Sequence, residues 1–356
     1  MELLKDWFKR SFSDPQVVIL GVFLLLFFAV IVGLGAWLAP MFASIVIAYL
    51  LEAVVSRLQR LGMPRMLAVI IVFLLFLAVL FFLLFGLVPI VSRQLTQLVQ
   101  QFPAYIAQGQ ELLKRLPESY PELISVEQVE IIIAQLGQEV ATLGQQLLGW
   151  SLSSVASIIG LLVYLVLVPV LVFFLLKDKD MMIGWFTERM PKDRSLVTRV
   201  WVESELQIAN YVRGKAVEIF IVGGVTYVTF ALLGLQYAAL LATLVGFSVL
   251  VPYVGAAVVT IPIALIAYFQ FGWGWDFGQV MIAYAIIQAL DGNLLVPLLF
   301  SEVVNLHPVA IILAILVFGG LWGFWGIFFA IPLATFVKAV MNAWPKTESK
   351  SREEAA

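Results

Sequence analysis

Apolar runs long enough to cross a bilayer alternate along this chain with short polar segments, so the pattern predicts membrane-spanning helices. An uncharged run from Pro15 to Leu51 is too long for the apolar core of a signal peptide. Gly33, Gly35 and Pro40 predict that it divides into two spans, about 16–38 and 41–56, joined by a tight turn. Arg57, Arg60 and Arg65 follow, and a third span over 66–90 is expected to end near Pro89. A fourth covers 151–176, with Pro169 as a kink of the kind a bundle tolerates. Beyond an amphipathic segment of mixed charge, a further uncharged run extends from Ile219 to Trp275. It holds a span over about 216–235 and a second stretch over 236–271, interrupted at Pro252 and Gly255.

Between Val91 and Trp150 the apolar residues become periodic instead of continuous, which marks a soluble helical insertion. Val129, Ile133, Leu136, Val140, Leu143, Leu147 and Trp150 recur in alternating steps of four and three, a heptad seam. That seam serves either a helical hairpin within one subunit or a contact between subunits. The layout is then 1–90 N-terminal spans, 91–150 insertion, 151–176 span, 177–215 amphipathic segment, 216–340 C-terminal region with broken helices, and 341–356 tail.

The last apolar region differs from the others. From Gln288 to Pro332 it contains Asp291, Gly292 and Asn293, then Pro297, His307-Pro308, and Gly319, Gly320, Gly323 and Gly326. A carboxylate at membrane depth is costly and usually has a partner or lines a pathway. Gln288 and Asp291 are three apart and share a helical face; Asn293 joins them only if the helix breaks at Gly292. Such a cluster is either a polar-solute or cation site, or a carboxylate satisfied by an Arg or by backbone donors. Glu218 lies three after Lys215, so a local ion pair stands beside a gating role. A lone His307 before a proline is a structural hydrogen-bond partner or a proton relay. Gly319 and Gly323 fit close helix packing as well as a hairpin tip.

Composition then sets the class. With 62% apolar and 12% charged residues and a mean hydropathy of +1.03, the chain reads as an all-α polytopic membrane protein with about eight hydrophobic membrane segments. A net charge of -2, with basic residues scattered near span ends, gives no nucleic-acid surface. No cysteine and a single histidine leave neither a metal site nor a bound cofactor expected. Of 21 Lys and Arg, the insertion holds only Arg93, Lys114 and Arg115, which predicts both termini in the cytoplasm and the insertion outside. That parity fits eight crossings, or six crossings with two re-entrant hairpins centred on Pro252–Gly255 and on Gly319–Gly326. The hairpins are preferred, because each stretch is interrupted near its middle.

Asn210-Tyr211 with Gly214, then Val251-Pro252-Tyr253-Val254-Gly255, Gln288 with Asp291 and Asn293, Pro297, Leu306-His307-Pro308, Gly319-Gly320, Gly323, Gly326 and Pro332 together resemble the autoinducer-2 exporter family, the PerM-like permeases. The likeness covers nearly the whole chain, with Lys215, Ala256 and Ser301 departing from the residues usual there. It implies a homo-oligomeric transporter, a pentamer among the forms allowed, in the bacterial cytoplasmic (inner) membrane. It also implies either export of a small polar signalling molecule such as autoinducer-2 or sodium/proton antiport. The residues expected on the pathway are Gln288, Asp291, Asn293, Pro252, Gly255, Asn210, Glu218 and His307. The remaining prolines and glycines of the C-terminal region, Pro297, Pro308, Gly319, Gly320, Gly323, Gly326 and Pro332, are expected at hinges and hairpin turns.

A non-transporting scaffold that uses the heptad seam is the competing class. An intramembrane enzyme is disfavoured, because no nucleophile-elbow, zinc-protease or phosphate-loop pattern is present. The partners expected are the lipid bilayer, a small polar solute or cation, and further copies of the chain. The break at Gln288–Asn293 and the break at Pro252–Gly255 are expected to face a common cavity, since their freed backbone groups cannot be satisfied in lipid.

Overall fold

The computed structural model describes residues 15–119, 154–189, 195–252, 254–300 and 306–343, together with Glu127 and Ile131. Within them every regular element is helical: α1 (Pro15–Arg60), α2 (Arg65–Phe82), α3 (Val88–Ser119), α4 (Ser154–Lys177), α5 (Lys179–Arg189), α6 (Ser195–Leu232), α7 (Ala238–Ser248), α8 (Val254–Phe271), α9 (Trp275–Leu290), α10 (Val296–Phe300), α11 (Pro308–Phe328) and α12 (Ala330–Ala343). Six helical stretches among the described residues are long and apolar enough to cross a membrane. The all-α, polytopic class therefore holds. The heptad seam lies outside the described residues.

Three interruptions expected from the sequence take another form. No turn separates the first two spans: α1 continues through Pro40 as one helix. Likewise α2 does not end at Pro89 but runs into the insertion through a π-helical turn, Leu83–Leu87. A proline crowds the carbonyl four residues before it and cannot donate to it. Widening the turn, with the Val88 N–H bonded to the Leu83 carbonyl, moves the ladder out of register ahead of Pro89. The same device recurs at the third place. Instead of breaking at Gly292, α9 passes through a second π turn, Asp291–Leu295, and on into α10, with Pro297 as its second residue.

The chain divides into two compact units. One comprises Met1–Val69, Leu171–Glu218 and Leu294–Ala356; the other comprises Ile70–Val170 and Ile219–Asn293.

In the first unit, Tyr211 and Val212 of α6 pack with Phe300, Ile311 and Ile331 into an apolar core. α11 folds back on itself at Gly323, and its last residues lead into α12 as the returning arm of a hairpin. Gly323 has φ 58° and ψ -131°, which favours glycine, and Gly326 lies against the backbone of Phe318 where a Cβ has no room. The glycines therefore form a hairpin tip, and the close approach they permit is within one chain. Pro308 opens α11 at its first position and Pro332 sits in the first turn of α12, both sites where a missing N–H costs nothing. An ionic junction ties helix ends together: Arg65 donates to the Leu176 carbonyl at 2.9 Å and lies 3.6 Å from Glu52, which also accepts from Lys179 at 3.2 Å.

In the second unit, α7 and α8 form another helical hairpin. At ~1.5 Å per residue, the 11 residues of α7 reach only about 16 Å, half of a ~30 Å hydrocarbon core. Gly246 of α7 meets Gly223 of α6 backbone to backbone. The first helix of the insertion straps the base of the hairpin. Gln94 accepts from the Leu240 N–H at 2.8 Å, capping α7, and Gln101 accepts from the Tyr237 hydroxyl at 2.6 Å.

Candidate functional site

The second unit holds Pro252, Gly255, Gln288, Asp291 and Asn293, and the structure relates them through the hairpin tip. The chain turns at Ser248–Gly255, with Val251 donating to the Ser248 carbonyl at 3.0 Å and Gly255 to the Val251 carbonyl at 2.9 Å. Gly255 also lies directly against the Ser248 carbonyl, leaving no space for a side chain. Pro252 and Gly255 thus pinch two helices together instead of merely interrupting one.

The first turn of α8 is joined to α9 by a residue the sequence reading passed over. Tyr284, 3% exposed, donates its hydroxyl to the Ala256 carbonyl at 3.0 Å, and Thr260 donates to the same carbonyl at 2.7 Å. The Tyr284 ring rests on Phe230 of α6, with centroids 6.4 Å apart. Tyr284, Gln288 and Asp291 are spaced four and three apart, so α9 carries all three on one face. That spacing was a usable signal, masked because a tyrosine in a span usually reads as apolar packing.

Gln288 and Asp291 are half-buried. The Gln288 Nε2 and Asp291 Oδ1 atoms are themselves buried, and Gln288 Nε2 has no hydrogen-bond partner among the described residues. A buried amide donor without an acceptor costs free energy, which a bound polar group would recover. Asp291 opens the π turn, its N–H shared between the Gln288 and Ile287 carbonyls. Asn293 turns its amide back onto the Ala289 carbonyl at 2.8 Å and is exposed, so it satisfies the backbone of its own helix.

The first unit holds Asn210, Glu218 and His307. Asn210 is half-buried on α6. Glu218, 1% exposed, pairs with Lys215 at 2.7 Å, and the Lys215 ammonium lies 5.2 Å from the Phe300 ring centre. Gly214 makes room for that ring: a Cβ there would meet Phe300 at 2.5 Å. Arg213 turns to the Tyr49 ring instead, 5.0 Å from its centre. His307 is an exposed N-cap whose Nδ1 accepts from the Val309 N–H at 3.3 Å, a structural role ahead of Pro308.

Among the described residues no group of three or more His, Asp or Glu is placed to hold a metal ion. Polar side chains on apolar helices of spanning length, a π-widened helix bearing a carboxylate and two helical hairpins are features of a polytopic membrane protein, and fit the transport class. Residues 19–346 match the model of the AI-2E family of transporters, and the chain belongs to that family. It is 47% identical over 345 residues to a protein of Escherichia coli described as a candidate permease, PerM, covering 97% of this chain and 98% of that one. It is also 28% identical over 314 residues to a candidate transport protein, YueF, of Bacillus subtilis, covering 87% of this chain and 84% of that one.

Proposed function

We propose that this chain is a secondary carrier that moves a small polar solute across the bacterial cytoplasmic membrane along the face of α9 that bears Gln288 and Asp291. The observation that carries this reading is the buried Gln288 amide one turn before a carboxylate that opens a π turn. A carboxylate oxygen and an amide N–H offer both an acceptor and a donor, which suits a hydroxylated solute such as autoinducer-2 better than a bare cation. Family membership supports transport, and the match to PerM over nearly the full length supports a permease.

In this reading the α7–α8 and α11–α12 hairpins are re-entrant, the termini are cytoplasmic, the insertion faces outward, and the working form is a homo-oligomer. Glu218 and Asn210 act in the first unit, as supports of α6. The energy source is an ion gradient or the solute's own gradient.

The test is solute flux in proteoliposomes under defined proton, sodium and solute gradients, comparing wild type with Asp291→Asn and Gln288→Leu. Both variants are expected to lose at least ~10-fold in flux, the effect of leaving a buried polar partner unmet. Wild-type flux in Asp291→Asn removes the pathway along that face of α9, and no flux in the wild type removes the carrier reading.

A further inference from the structure

We infer that Tyr284 is a positioning residue whose hydroxyl ties the tip of the α7–α8 hairpin shut against the helix face that carries Gln288 and Asp291. The inference rests on the carrier reading for its consequence, though not for its geometry. Three facts converge on it. Tyr284 makes a polar link between the first turn of α8 and α9, its hydroxyl 3.0 Å from the Ala256 carbonyl and 3.5 Å from the Thr260 hydroxyl. The two ends of the tip are held together, because Gly255 is seated on the Ser248 carbonyl and Ser248 donates to Val245 at 2.7 Å. A bond at the edge of such a close-packed turn therefore bears on where the turn sits. Finally, Tyr284 stands one helical turn before Gln288, whose buried amide points to a polar occupant.

Packing alone does not require that hydroxyl. The ring rests on Phe230, and phenylalanine would fill the same space. The Ala256 carbonyl keeps a hydroxyl donor without it, because Thr260 donates to it from within α8. The Tyr284 bond therefore adds a link between helices where neither helix needs one. A polar solute arriving at Gln288 brings hydroxyl or carbonyl groups within a turn of this phenol. It can take the Tyr284 hydroxyl from Ala256, so that occupancy and release of the tip are one exchange of hydrogen bonds.

The chain contains no cysteine, so one introduced thiol reports without background. The full-length protein carrying Val251→Cys at the tip is reconstituted in liposomes and labelled with a membrane-impermeant maleimide, alone and with Tyr284→Phe or Thr260→Val. Tyr284→Phe is expected to speed labelling about fivefold, the effect of one lost hydrogen bond, with unchanged elution as a folded species. Thr260→Val removes a longer contact, 3.5 Å from the Thr260 hydroxyl to the phenol oxygen, but keeps the Tyr284–Ala256 bond, and is expected to leave the rate as it was. Unchanged labelling in Tyr284→Phe, or equal acceleration in Thr260→Val, overturns the tie. Flux of Asp291→Asn, measured in parallel, separates the two ideas. Faster labelling in Tyr284→Phe with normal Asp291→Asn flux keeps the tie and removes the pathway along Gln288 and Asp291. The opposite pair of results keeps the carrier and removes the tie.

Discussion

Lys215 and Glu218 form an ion pair at 2.7 Å, one turn apart on α6, with both side chains almost wholly withdrawn from solvent. Phe300 covers the ammonium and Gly214 leaves room for the ring, so a charge pair, an aromatic face and a missing side chain make one unit. Desolvating two charges is offset only while both are present. Glu218→Gln is therefore expected to lower stability by about 3 kcal/mol, and Lys215→Met with Glu218→Leu together to recover most of it. Thermal unfolding in detergent reads this. Equal losses in the single and double variants would mean that the pair is not coupled.

Gly214 should be sensitive to size in a way that depends on Phe300. Alanine at 214 gains helix propensity but pushes on the ring, for a net loss of roughly 1 to 2 kcal/mol. Combining it with Phe300→Leu should relieve that push, so the double variant is expected to be more stable than the two separate losses added together. Additive losses would place the clash elsewhere.

The glycines of the α11–α12 hairpin differ sharply in what surrounds them. A Cβ at Gly326 meets the Phe318 backbone, whereas one at Gly320 meets nothing within 4 Å. Gly326→Ala is expected to cost more than about 3 kcal/mol or to abolish folding, while Gly320→Ala stays within about 0.5 kcal/mol of wild type. Gly255→Ala, against the Ser248 carbonyl, should behave like Gly326→Ala. Yield of monodisperse protein separates these outcomes, and similar yields for all three would refute the hairpin packing.

At the helix-end junction, Glu52 accepts from Lys179 and faces Arg65, while Arg65 also caps α4 through the Leu176 carbonyl. Glu52→Gln removes the charge common to both contacts and is expected to cost about 1 to 2 kcal/mol, since Lys179 is partly in water. The loss should shrink at high salt. A salt-independent loss would point to packing instead.

Much of this molecule was readable before any coordinates. Uninterrupted apolar runs between charged segments declare the class, because hydrocarbon excludes charge and only helices close their own hydrogen bonds there. The two hairpin sites were legible from Pro252, Gly255, Gly323 and Gly326, since these residues change what a backbone can do. The proline effects were read less well. Pro40 lies inside a helix, and Pro89 and Pro297 follow π turns, because a helix held by its neighbours can widen by one residue instead of breaking.

Local chemistry, then, is what the order of residues determined: which stretches are helical and apolar, where glycine and proline disturb them, and that Gln288 and Asp291 share a face. Tertiary structure alone decided that Tyr284 reaches Ala256, that Phe300 lies over Lys215, and that Glu52 gathers Arg65 and Lys179. The reason is physical. Periodicity acts over a turn or two of one helix, whereas a bond between helices depends on how separate segments are brought side by side, and no spacing along the chain encodes that distance.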